Sequence, residues 1–242
     1  MTNAEQIQWE EARCAVYGFF SQAFIHGPSQ QFLAALIARE GMEHLGEIFP
    51  DAAYQEELAQ VQLDAREGRL TLEGAILDFE ALFRVPGYRY LSPYESVYRS
   101  QGPGGGGRLC GPEAAAVERL YLREGLGPSP EVTELPDHAG VELEFMAYLC
   151  GKALEAMRTG DRARLGKYRR QQQHFFKEHL GVWVNRLAER LASQAQTSLY
   201  RFLGNFLLLF LELEGNLNFR LEGAHPGVIG ADRGQPEQGV GQ

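Results

Sequence analysis

Residues 197–214 read TSLYRFLGNFLLLFLELE, and within them Phe202 to Leu211 is the most apolar run of the chain. That run is ten residues long, contains Asn205 and is closed by Arg201 and Glu212; a membrane-spanning helix needs about 20 apolar residues. The stretch is therefore expected to be a buried core helix from about Thr197 to Glu214, with Gly215 closing it. A helix apolar nearly all round must be covered on several sides, so the rest of the chain has to supply the cover.

Other helices are expected to do so. Apolar residues recur three and four apart and runs of β-branched residues are few, so no strand is expected. One helix should span about Ala4 to Ile25, with Ala12, Ala15, Val16, Phe19 and Phe20 inward, and another should follow Gly27 and Pro28 with Phe32, Leu36 and Ile37. A third covers about Asp51 to Glu67. A fourth covers Leu70 to Phe83, with Leu72, Ile76, Phe79, Leu82 and Phe83 as its stripe, and must stop before Pro86, which disfavours helix at Val85. Pro112 suits a first helical position and opens a helix to about Leu126. Pro136 and Asp137 suit the first turn of the next, whose Leu143, Met146, Cys150, Ala153 and Met157 share a face. Helices over about Asp161 to Leu180 and Val182 to Gln194 complete the set. The connections are short, which favours antiparallel neighbours. The expected fold is all-α, a bundle of about eight to ten helices in two halves joined by a hinge.

Glycine marks the boundaries: of 28, six fall in Gly102 to Gly111 and six in Gly223 to Gly241. The first cluster cannot hold a regular element and is expected to be a mobile loop; the second, with Pro226, Pro236 and no aromatic residue, is expected to be a frayed tail. Gly127 to Thr133, with Pro128 and Pro130, is the candidate hinge. The chain is thus divided into a helical half 1–126 with a loop over 84–111, a second half 127–222 and a tail 223–242.

Composition narrows the function. Twenty-three Lys and Arg against 32 Asp and Glu give a net charge of −9 over 242 residues, a surface that repels phosphate backbones, so no nucleic-acid partner is expected. Cys14, Cys110 and Cys150 form no CxxC, so neither a disulfide framework nor a thiolate zinc site is expected. Met1 to Glu11 is polar and acidic, unlike a secretory signal. A cytoplasmic protein without membrane insertion is expected.

The common catalytic signatures are missing: no GxSxG, GxGxxG, Walker loop or HExxH is present. The glycines at 102–107 are followed by no Lys-Ser or Lys-Thr and preceded by no strand. His138 and Glu142, four apart, allow a shared proton or metal, with Asp137 and Glu134 beside them; the ordinary reading is charges in the first turn of a helix, and a third is an acidic surface for a basic peptide. His174 and His179, five apart, splay around their helix. Arg84 to Arg99 holds Pro86, Tyr88, Tyr90, Pro93, Tyr94 and Tyr98, too irregular for a helix and too aromatic for a solvated linker. Its rings either pack on the bundle or line a groove for a partner peptide.

Three stretches together resemble the TorD/DmsD/NarJ family of redox-enzyme maturation chaperones. Phe79 to Pro86 (FEALFRVP), running into Leu91 to Tyr98 (LSPYESVY), resembles the family's LF…P…PPWESVY loop. Glu134 to His138 (ELPDH), followed by Val141 to Met146 (VELEFM), resembles its E-x-P-D-H…ELEFM signature. Phe175 to Leu180 (FFKEHL) with Trp183 resembles its FLxxHLxxW helix. Tyr94 stands where many members have Trp, and Asn185 where a Pro often follows Trp183; the glycine loop and the tail look like additions.

The resemblance implies a non-enzymatic cytoplasmic chaperone that binds the catalytic subunit of a molybdenum or tungsten enzyme, through a twin-arginine leader or the N-terminal region. It would hold that subunit during cofactor insertion, assembly and export proofreading, needing no cofactor or metal of its own, as a monomer or dimer. The implied client-binding residues are Pro93, Tyr94, Glu95 and Ser96 in the loop and Glu134, Pro136, Asp137, His138 and Glu142 around the hinge. Carboxylates at Glu95, Glu134, Asp137 and Glu142 would pair with client arginines while the tyrosines accept the apolar part. The alternatives are a helical hydrolase using His138 with Asp137 or Glu142, a nucleotide hydrolase using the glycine loop, and a scaffold that self-associates through Phe202 to Leu211.

Overall fold

The computed structural model describes residues 2–38, 52–100, 107–127 and 132–223, the side chains of 52, 53 and 217–223 excepted. The glycine run 102–106, most of the candidate hinge and the tail beyond 223 lie outside the described residues.

Where the chain is described it is an all-α bundle. Helix α1 (Asn3–Ile25) opens with a capping box between Thr2 and Glu5. Helices α2 (Gln30–Ile37), α3 (Ala52–Arg66) and α4 (Leu72–Phe79) follow, the last running into a π-turn at Glu80–Arg84. After a loop come the short α5 (Glu95–Arg99) and α6 (Pro112–Arg123). The second half holds α7 (Ala139–Thr159), α8 (Arg162–Phe175) with a π-turn at Phe176–Leu180, α9 (Gly181–Gln194) and α10 (Ser198–Gly223). Among the described residues the sole β-type pairing is an isolated antiparallel bridge between Tyr94 and His138.

The apolar run that decided the fold lies inside it. Phe202, Leu203, Phe206, Leu207, Phe210 and Leu211 are buried, covered by α9, α3 and rings of α1: Tyr17 lies edge-on to Phe210 at 4.7 Å and Phe20 meets Phe206 at 5.1 Å. That burial removes these six side chains from any self-associating surface; the uncovered side of the stretch carries Arg201, Asn205 and Glu212 beside the part-buried Leu208 and Leu209. Gly204 sets the closeness of α9: a Cβ there would come within 2.5 Å of the Ala192 backbone nitrogen. Helix α1 packs along α7, whose Leu143, Met146, Cys150, Ala153 and Met157 are all buried. One apolar cluster draws residues from both sides of the candidate hinge. Among the described residues no helix is long and apolar enough to cross a membrane.

Some expectations are corrected. Ala15 faces solvent, while Arg13, one position from the inner face, is buried. Helix α6 stops at Arg123 rather than Leu126, because Gly125 adopts φ 74° and ends it. Pro136 and Asp137 precede α7 rather than opening it, since His138 is its N-cap.

Candidate functional site

The irregular loop after α4 is held from several sides. The π-turn ends where Val85 turns extended ahead of Pro86; the Leu91 N–H then donates to the Leu82 carbonyl at 2.7 Å, and Arg89 pairs with the buried Asp78 at 2.5 Å. Held in this way, the loop brings Pro93 to Ser96 against the turn before α7. The Ala139 N–H donates to the Pro93 carbonyl (2.8 Å) and the Glu95 N–H to the Asp137 carbonyl (2.9 Å). Asp137 Oδ2 also accepts from the Ser96 N–H at 2.9 Å, which satisfies an amide at the start of α5. Two segments more than 40 residues apart are thereby zipped into one junction.

His138 caps α7: its Nδ1 accepts from the Gly140 N–H at 3.1 Å. Burial lowers its pKa to about 4, so near neutral pH the ring is uncharged, with its proton assigned to Nε2 by the bond at Nδ1. Nε2 lies 4.0 Å from Glu134 and the ring meets Tyr94 edge-on at 5.2 Å. Glu134 accepts from Arg84 through Oε1 and from the Tyr94 hydroxyl through Oε2, both at 2.6 Å. Burial works against the ionised Glu134, but the Tyr94 bond and the charge and bond of Arg84 outweigh it and hold the group below the ordinary carboxylate range. Burial and Glu134 together push the Tyr94 hydroxyl up, so it stays a donor.

Behind this front lies a fully buried acidic layer. Glu95 accepts from Arg99 at 2.8 Å and shares a bond of 2.9 Å with His179 Nδ1. Glu142 Oε2 accepts from the Trp183 indole at 3.0 Å. Burial first, and then the charge of Glu95, raise the Glu142 pKa well above the usual value; the protonated group can donate from Oε1, the oxygen otherwise without a partner. Ser96 Oγ and Asp137 Oδ1 also lack partners. The Tyr121 hydroxyl donates to the Pro136 carbonyl at 2.9 Å and supports the turn from below.

The structure thus brings the nine residues implied for client binding to one junction, but at two depths. Tyr94, Glu134 and Pro136 are part-exposed, whereas Pro93, Glu95, Ser96, Asp137, His138 and Glu142 are buried. Of the four carboxylates read as partners for client arginines, Glu134 is the least buried, its side chain 9% exposed. His138 and Glu142 engage different partners and form no dyad, and Asp137 is spent on Ser96 rather than on His138. Among the described residues no group of three or more His, Cys, Asp or Glu side chains is placed to hold a metal. His174 is exposed and His179 buried, as splayed positions require. Sequence reading missed Arg84, Arg99, His179 and Trp183 as parts of the site; the signal for the last two was the FFKEHL…W stretch, whose π-turn carries His179 to Glu95. A separate cleft is lined by Asp64, Arg69, Asp78, Arg89 and Arg201, and its Arg89–Asp78 pair is the one that holds the loop.

The family model for the nitrate reductase delta subunit matches residues 50–189, a span holding the loop, the turn before α7 and the α8–α9 segment. The chain is 26% identical over 208 residues to the chaperone protein TorD of Vibrio cholerae, covering 84% of this chain and 90% of that protein. It is 23% identical over 238 residues to TorD of Colwellia psychrerythraea, covering 87% and 94%. The selenate reductase assembly chaperone protein of Thauera selenatis is 38% identical over 63 residues, 26% of this chain and 32% of that protein. No solved structure matches the chain.

Proposed function

The chain belongs to the nitrate reductase delta subunit family, and from that membership we propose that it is a cytoplasmic, system-specific chaperone for the catalytic subunit of a molybdenum or tungsten oxidoreductase. It binds the leader or N-terminal region of that subunit, holds it during cofactor insertion and assembly, and releases it for export once folded. The relatives named as TorD chaperones and as an assembly chaperone of selenate reductase support this role. The observation that carries it is the junction itself, where the loop and the turn before α7 are fused and Tyr94 is bonded to Glu134, while Val85 and Tyr88 of the same loop are exposed. Such an arrangement suits a peptide with guanidinium groups followed by apolar side chains.

On this reading the buried residues Pro93, Glu95, Ser96, Asp137, His138 and Glu142 position the surface, and Tyr94, Glu134 and Pro136 touch the client. No residue is catalytic and no cofactor or metal is required: His138 is taken up as a helix cap. The test is an anaerobic pull-down of the tagged protein from its own cells with mass spectrometry, repeated with Tyr94→Ala/Glu134→Gln. A molybdoenzyme catalytic subunit recovered with the wild type and lost with the folded variant is expected. Failure to recover an expressed subunit overturns the reading.

A further inference from the structure

Glu134 is the least buried carboxylate of the junction, and it is already occupied. The Arg84 guanidinium sits on Oε1, with side chains 40% and 9% exposed for Arg84 and Glu134. Arg84 has two further holds: Nη2 donates to the Ile25 carbonyl at 3.1 Å, and the guanidinium lies 5.6 Å from the centre of the Phe79 ring. Glu134 is therefore one of three partners of this guanidinium. Directly after it, Val85 and Tyr88 are 56% and 89% exposed, on the loop that the Leu91–Leu82 bond and the Arg89–Asp78 pair fix in place. A charged acceptor holding the chain's own arginine is thus followed along the loop by two exposed apolar side chains. An incoming guanidinium can replace Arg84 on Glu134 in a near-balanced exchange, since one charge-assisted bond is traded for another. An apolar side chain alone gains Val85 and Tyr88 but not the carboxylate.

We infer that Arg84 is an internal competitor for Glu134, which a client arginine displaces, so that the pair sets a threshold separating peptides with both a guanidinium and apolar residues from peptides with apolar residues alone. This inference rests on the reading that the client segment is basic and apolar. The probe is a fluorescein-labelled synthetic peptide with two adjacent arginines followed by leucines, titrated by anisotropy against the wild type, Arg84→Gln, Arg84→Lys, Glu134→Gln and Arg84→Gln/Glu134→Gln. Arg84→Gln is expected to tighten binding about fivefold, the equivalent of one net hydrogen bond. Glu134→Gln should weaken it by a similar factor and abolish the gain from Arg84→Gln. Arg84→Lys, whose ammonium lacks the two fixed arms that hold Glu134 and the Ile25 carbonyl together, should tighten binding less, and it decides the matter if circular dichroism shows Arg84→Gln to be misfolded. If the wild type binds the peptide and neither Arg84 variant tightens it, the competitor is overturned and the chaperone reading stands. If no variant binds it, both the competitor and the basic-peptide reading fall.

Discussion

Two buried polar clusters in this molecule are built in opposite ways. Around Arg13, three helices meet on one guanidinium: Nε and Nη2 donate to Glu214 at 2.6 and 2.7 Å, while Nη1 donates to Glu10 at 2.9 and 3.0 Å and to Gln172 at 3.0 Å. Tyr17 donates to Glu214 at 2.8 Å and Gln172 to Glu10 at 3.0 Å. No buried polar atom of these five side chains lacks a partner. At the junction, Glu95, Asp137 and Glu142 are fully buried, yet Ser96 Oγ and Asp137 Oδ1 have no partner. A fully satisfied network rigidifies its surroundings, whereas a partly satisfied one holds unpaid desolvation. The bundle is therefore locked at Arg13, and its electrostatic tension is kept beneath the surface that carries Glu134 and Tyr94.

The strongest way to break this contrast is Arg13→Met. It leaves Glu10 and Glu214 buried without their cation and is expected to cost about 3–5 kcal/mol, measured by chemical denaturation. A loss under about 1 kcal/mol would mean that the network is no lock.

The junction's response to pH comes next in size, and its two buried titratable groups pull in opposite directions. The folded pKa of His138 is about 4, below its ordinary 6.5. Its contribution is complete above the ordinary value and is lost as pH falls toward the folded one, by about 3 kcal/mol in all. In His138→Asn, which keeps a capping oxygen, the acid limb of the stability profile should flatten. An unchanged limb would assign the acid loss to other groups.

Glu142 carries the opposite slope. Its folded pKa lies well above its ordinary value of 4.5, so its contribution is full below 4.5 and declines as pH rises toward the folded value. Glu142→Gln keeps an oxygen for Trp183 and an N–H for Glu95, imitating the protonated acid. It should raise stability at pH 8 by about 1 kcal/mol and leave pH 4 nearly unchanged. Destabilisation at both values would show that the ionised carboxylate is the native form.

These pairs also mark how far the sequence could be read. Helix faces such as Leu143 to Met157, and stops such as Pro86, depend on neighbours within a few turns, and they were legible. The loop, the ELPDH turn and the FFKEHL…W stretch were legible as a set because their residue patterns are distinctive. Their depth was not. A carboxylate reads as surface-exposed unless its partner is known, and the partners here are remote: Glu95 bonds His179 across 84 residues, Glu142 bonds Trp183 across 41, and Arg13 bonds Glu214 across 201. The π-turns that aim Arg84 and His179 leave no periodic signature either, since each adds one residue to a turn of otherwise ordinary helix.

The smallest expected effect on stability tests the contrast within the loop itself. Tyr98 is buried against Trp183 at 5.1 Å and belongs to the core, whereas Tyr88, ten residues earlier, is 89% exposed. An exposed ring makes few contacts to lose, so Tyr88→Ala should shift stability by less than about 0.5 kcal/mol. If Tyr88 is an apolar shelf for a client, the same change should weaken binding of the arginine–leucine peptide several-fold, because a rigid aromatic side chain supplies much of such a contact. Equal affinity for Tyr88→Ala and wild type would move the apolar contact off the loop, leaving Tyr94 and Glu134 to hold the client. A large loss of stability would instead mean that Tyr88 packs as Tyr98 does, and that the loop has no face left to offer.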